Sequence, residues 1–165
     1  MMPLSWRAKR SSKLKPEQAG DPACVRKSAM DLLARREHSE RELIRKLATR
    51  GFDNDLIETT IADLIAENLL SNVRFAESFV YSRFQKGSGP QKIHAELRER
   101  GIDDGLISDC IAEYEPQWQA RIRQVREKKF GTAQPQDYKE RARQMRFLQQ
   151  RGFTPEQISK VFKET

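Results

Sequence analysis

Only two cysteines, Cys24 and Cys110, occur in the 165 residues, far apart and without a C-x-x-C pair. That excludes a disulfide scaffold and a cysteine metal knuckle, and a reduced setting with no disulfide is expected. Histidine is equally sparse: His38 and His94 have no HxxxH spacing and no metal-like spacing with either thiol. A position near a helix cap is expected for His38, and a half-buried helical position for His94. No apolar run approaches the roughly 18 residues of a membrane span, and no secretory apolar segment follows Met1, so a cytoplasmic protein with no membrane contact is expected. A G-x-S-x-G elbow is missing, and the carboxylates are scattered without a pair set apart for acid–base work, so the chain reads as a non-enzyme without metal or cofactor. Alternating strand patterns are absent too.

What is present is helical. From Cys24 onward apolar residues recur three and four positions apart, which predicts an all-α fold. Within that pattern lies an internal repeat. Arg50-Gly51-Phe52-Asp53, Arg100-Gly101-Ile102-Asp103 and Arg151-Gly152-Phe153-Thr154 share a register with Leu47, Leu97 or Leu148 before the glycine and Ile57, Ile107 or Ile158 after it. Glycine at a helix end takes the left-handed conformation without a Cβ clash, so each motif reads as a helix stop followed by an apolar residue packing back. Asp53, Asp103 and Thr154 then stand where an N-cap side chain begins the next helix.

A further helical pattern precedes each turn pair. In the first unit it runs from about Cys24 to Arg36, and Ser39-x-x-Glu42 reads as a capping box for the helix after it. In the second, Phe75, Phe79, Tyr81 and Phe84 precede the break Lys86-Gly87-Ser88-Gly89-Pro90. In the third, Trp118, Ile122, Val125 and Phe130 precede Gly131 and Pro135. The expected plan is three tandem three-helix repeats over 24–70, 71–114 and 115–165, about nine helices, behind a disordered basic tail over residues 1–23. Units this small bury little surface alone, so they should stack into an elongated, curved array suited to a large partner.

Thirty-one Lys and Arg against 24 Asp and Glu give a net charge of +7, concentrated at the two ends. Residues 115–165 hold 12 basic and 6 acidic residues, whereas the first two units are each close to neutral. The cluster Arg121, Arg126, Lys128, Lys129, Lys139, Arg143 and Arg146 is therefore the candidate surface for phosphates or an acidic protein face. Lys139, Arg143 and Arg146 are spaced to share one helix face. Trp118, Tyr138 and Phe147 could stack on bases, although aromatics at helical spacing are more often core.

Two familiar motifs are excluded. A helix-turn-helix reader needs a cationic second helix, yet residues 54–69 carry Asp55, Glu58, Asp63 and Glu67, residues 104–114 carry Asp104, Asp109 and Glu113, and neither has a Lys or Arg. Only the third unit stays open to that role. Lys86-Gly87-Ser88-Gly89-Pro90 lacks the GK[ST] ending and a preceding strand, so it reads as a connector, not a phosphate loop.

Arg74-Phe75-Ala76, Phe79, Ser82-Arg83, Lys86-Gly87, Gly89-Pro90, Ile93, Glu96-Leu97 and Gly101-Ile102 resemble the central repeat of the RecX family, bacterial regulators of the RecA recombinase. Ala34-Arg35-Arg36-Glu37-His38-Ser39 with Glu42-Leu43 and Lys46-Leu47 resembles its first repeat, and Arg146-Phe147-Leu148 with Arg151-Gly152-Phe153 its third. The resemblance covers roughly residues 24–165. It implies a non-enzymatic protein that binds the RecA nucleoprotein filament, lies in its groove and inhibits strand exchange, ATP hydrolysis and co-protease activity. Recombination, DNA repair and the SOS response would be modulated. Some members also bind DNA directly, so single- or double-stranded DNA is a further expected partner. A monomer is expected, and Arg74, Arg83, Lys86 and Arg100 join the candidates as motif-matching residues, although Arg74 and Arg83 could equally pair with carboxylates. The competing reading is a general nucleic-acid-binding module that acts without the recombinase.

Overall fold

The computed structural model describes residues 14–163, which form ten helices and no strand. A four-residue helix, α1 (Pro16–Ala19), leads into three groups of three. The first group is α2 (Pro22–Leu33), α3 (Glu40–Arg50) and α4 (Asn54–Ala66); the second is α5 (Asn72–Gln85), α6 (Pro90–Glu99) and α7 (Asp104–Ala112). The third is α8 (Glu115–Phe130), α9 (Tyr138–Gln150) and α10 (Pro155–Lys163). Helices of a group pack mainly on one another.

The tenth helix lies in the stretch expected to be a tail. Leu14 packs against the core of the first unit, and the Asp53 amide donates to the Ala19 carbonyl at 3.2 Å. Asp21 then caps α2 by accepting from the Ala23 amide at 2.9 Å, so that helix opens at Pro22 and not at Cys24. One leucine and one capping aspartate are enough to seat a segment that composition marks as unstructured. The rest of the expected tail, residues 1–13, lies outside the described residues.

The glycine turns have the expected geometry. Gly51, Gly101 and Gly152 stand at φ 95°, 78° and 92°, ending or following α3, α6 and α9. The caps that follow differ. Asp103 accepts from the amides of Gly105 and Leu106, and Thr154 exchanges reciprocal bonds with Gln157 at 3.1 and 2.9 Å, whereas the Asp53 side chain makes no cap bond.

Apolar burial divides the molecule unevenly. Val25, Ala29, Leu43, Leu47, Ile57 and Leu64 form a core confined to the first unit, while the second and third units share one continuous core. Trp118 of α8 joins that shared core at 1% exposure, with ring centroids 5.1 Å from Phe84 and 6.4 Å from Phe153. The array is thus one unit with its own apolar core followed by a pair fused through a shared core.

Backbone contact completes the fusion. Gly89 donates to the Arg151 carbonyl at 2.7 Å and Gln91 to the Gly152 carbonyl at 2.9 Å. A Cβ on Gly89 would fall 2.3 Å from backbone atoms of Gly152 and Phe153, although its φ of −83° suits any residue. Gly89→Ala is therefore expected to cost about 2 kcal/mol by overpacking the joint. Gly51→Ala, with open space around it, should cost only the left-handed conformation, about 1 kcal/mol. Urea unfolding of both variants checks that order.

Candidate functional site

The first and second units meet through polar groups. Ser39 accepts from the Glu42 amide at 3.1 Å, as a capping serine should, but its hydroxyl also donates to the Arg100 carbonyl at 2.8 Å. The expected capping box is only half formed, because the Glu42 carboxylate turns away to Arg36 at 3.0 Å and Arg100 at 3.2 Å. Burial works to raise the Glu42 carboxyl, yet the Arg36 hydrogen bond and the surrounding positive charge hold it below its ordinary range.

His38, 1% exposed, sits beneath this network. Its Nδ1 lies 3.0 Å from the Arg36 carbonyl and its Nε2 3.0 Å from Lys46 Nζ. A carbonyl only accepts, so Nδ1 carries the proton and Nε2 accepts from the ammonium. Burial pushes the imidazole below its ordinary value despite the Arg36 carbonyl. A depressed folded value means His38 contributes stability above pH about 6.5 that is lost as the pH falls toward the folded value. Glu42 adds a loss of the same sign in the carboxylate range. Denaturant unfolding of the wild type and His38→Gln at pH 7.5 and 5.5 should show the larger acid loss in the wild type.

The motif-matching arginines are engaged inside the molecule. Arg74 donates to Glu37 Oε1 at 2.9 Å and to the side chain and carbonyl of Asn68 at 2.8 and 3.0 Å. Arg83 Nε lies 2.7 Å from Glu96 Oε2, an ion pair bent too far for a hydrogen bond, and its guanidinium stacks 4.8 Å over the Phe79 ring. Arg100 also lies 4.8 Å over Phe79 and donates to the Glu96 carbonyl at 2.6 Å. Lys86 is exposed at the end of α5.

The basic cluster of the third unit divides in the same way. Arg121 donates to the Phe84 carbonyl at 2.8 Å and to that of Gln85, closing the end of α5 across the joint. Arg126 is 4% exposed, holding Gln144 Oε1 at 2.8 Å and the Ala133 carbonyl at 2.7 Å while its guanidinium lies 5.6 Å from the Phe162 ring. Lys128 is exposed and stands apart from the other cations of the cluster. The remaining candidates, Lys129, Lys139, Arg143 and Arg146, come together in a groove of about 630 Å³ between the end of α8 and α9. Asp137 and Glu140 also line it, so cations outnumber carboxylates by four to two. Phe130 and Phe147 meet edge to face at 5.3 Å in its wall, and Arg143 lies 5.6 Å over Phe130.

Among the aromatics weighed for stacking, Trp118 is core and Phe147 is half-buried, whereas Tyr138 is 88% exposed. Sequence spacing finds the α9 stripe but misses the partners of the first junction. Arg74 reaches Glu37 and Arg100 reaches Glu42 only because the units dock, and no local pattern encodes that approach. Among the described residues no cluster of three metal-ligating side chains occurs, and no helix is long and apolar enough to cross a membrane.

Known proteins share this arrangement along the whole array. Models of the first, second and third three-helix domains of RecX match residues 26–64, 71–111 and 115–162. The chain is 48% identical over 134 residues to the regulatory protein RecX of Halorhodospira halophila, covering 81% of this chain and 83% of that one. It is 47% identical over 140 residues to that of Pseudomonas entomophila, covering 85% and 90%. The crystal structure of RecX from Lactobacillus salivarius superimposes with a TM-score of 0.74 at 22% identity, covering 87% of this chain and 95% of that one. Three matched domains, near-full-length relatives and the shared helical array place this chain in the RecX family of regulatory proteins.

Proposed function

We propose that this protein regulates RecA by binding its nucleoprotein filament in the cytoplasm, where it inhibits strand exchange, ATP hydrolysis and co-protease activity. It acts by binding and not by catalysis, and so modulates homologous recombination, DNA repair and the SOS response. The observation that carries this reading is the groove of the third unit, where Lys129, Lys139, Arg143 and Arg146 stand over an aromatic wall. Such a surface suits an anionic polymer or an acidic protein face, and both are features of a protein-coated DNA strand. An array of stacked units gives it the length to touch more than one filament subunit.

The general nucleic-acid module remains the second reading, favoured by the same groove and by the exposed Tyr138. Sedimenting the full chain with RecA assembled on single-stranded DNA, beside bare strand in the same buffer, separates the two. Retention by the filament beyond that on bare DNA is expected. Equal retention on both would leave the nucleic-acid module.

A further inference from the structure

A second cationic cleft, of about 400 Å³, opens where the first unit meets α5. Ser78, Ser82 and Lys86 follow one another along α5 at four-residue intervals, so they line one wall from mid-helix to its C-terminal end. Phe75 and Phe79 form an apolar floor, and Arg36, Glu37 and Glu42 face them from the first unit. Positive charge is in surplus. Arg36 and Arg100 share the single carboxylate of Glu42, while Arg83 and Arg74 have Glu96 and Glu37. The ammonium of Lys86 has no carboxylate partner among the described residues, and the Ser82 hydroxyl lies one turn before it.

We propose that this cleft receives an acidic segment of a partner protein, with one carboxylate seated at Lys86 and Ser82. The occupied part of the cleft already shows what it accommodates, since its arginines hold carboxylates at 2.7 to 3.2 Å. Glu37, paired with Arg74 near the start of α5, stands about 18 Å along the helix from Lys86. A continuous phosphate backbone running down the cleft would meet both Glu37 and Glu42. A single carboxylate entering at the Lys86 end meets an unpaired cation and the Ser82 hydroxyl, and the guanidinium groups of Arg83 and Arg100 over the Phe79 ring add positive potential beside it. The cleft thus selects protein carboxylates over nucleic acid, in contrast to the groove of the third unit.

The inference rests on the filament reading for the identity of the partner, and two probes keep the two apart. The full chain, Lys86→Glu and Lys86→Gln are titrated against RecA–single-stranded DNA filaments, bare single-stranded DNA, and a labelled glutamate-rich peptide. Thermal melting confirms that each variant is folded, and the glutamine variant avoids placing a negative charge at a helix end. Lys86→Glu should weaken filament and peptide binding by about tenfold, and Lys86→Gln by a smaller factor, with bare-DNA affinity within about twofold of wild type. Filament and peptide binding unchanged in both variants would overturn the cleft, as would an equal loss on bare DNA. A wild type that binds the peptide through Lys86 but ignores the filament would refute the recombinase reading and leave the cleft standing.

Discussion

Replacing Trp118 with alanine is expected to lower stability by about 3–5 kcal/mol, the usual cost of emptying a large aromatic site. Few side chains in this protein are placed to matter as much. Trp118 stands at 1% exposure between Phe84 of the second unit and Phe153 of the third, with Tyr114 at 6.2 Å. Removing the indole takes a wall from both units at once, and the backbone bonds of Gly89 and Gln91 hold the surrounding chain in place, so the cavity cannot close easily. The loss should be regional. Because the first unit has its own core, native-state hydrogen exchange should show protection falling together from α5 to α10 while α2–α4 change little. Equal loss in α2–α4 would mean that the whole array folds as one cooperative unit.

Reversing Lys139, Arg143 and Arg146 to glutamate is expected to weaken binding to single-stranded DNA by about 100-fold at low salt. It should also flatten the slope of log affinity against log salt by about 2, since three phosphate contacts are lost. The three residues are exposed on one side of α9, so the fold should survive. The cost in stability should stay within about 1 kcal/mol, mostly from the lost Arg143 contact with Phe130. Fluorescence anisotropy over a salt series, alongside a thermal melt, reads both. An unchanged slope in a folded variant would show that the groove holds no phosphate.

These two results probe parts of the molecule that were unequally visible in the sequence. The helical class, the repeat and its glycine turns were legible because each rests on local chemistry. A left-handed glycine, a following apolar residue and a capping side chain lie within a few positions of one another. The α9 stripe was legible for the same reason, since spacings of four and three place Lys139, Arg143 and Arg146 on one face whatever the tertiary fold. Burial of a cation was not. Nothing near Arg126 distinguishes it from Lys128 or Lys129, because its partners Gln144 and Ala133 arrive from other segments. Arg121 likewise finds carbonyl partners at the end of α5 that only the docking of units supplies. Composition misled at the N-terminal side, where Leu14 and Asp21 tie residues that would otherwise read as solvated tail. The capping box at Ser39 failed for a related reason. Two arginines compete for Glu42, and a charged pair at a half-buried junction outweighs a bond to one backbone amide.

The measurement that most directly tests the account is the single-stranded-DNA-dependent ATPase of RecA, titrated with this protein below one copy per recombinase subunit. Inhibition at those ratios by the wild type, weakened in the Lys139/Arg143/Arg146 reversal, is the expected result. Full ATPase activity in the presence of excess wild-type protein would contradict it.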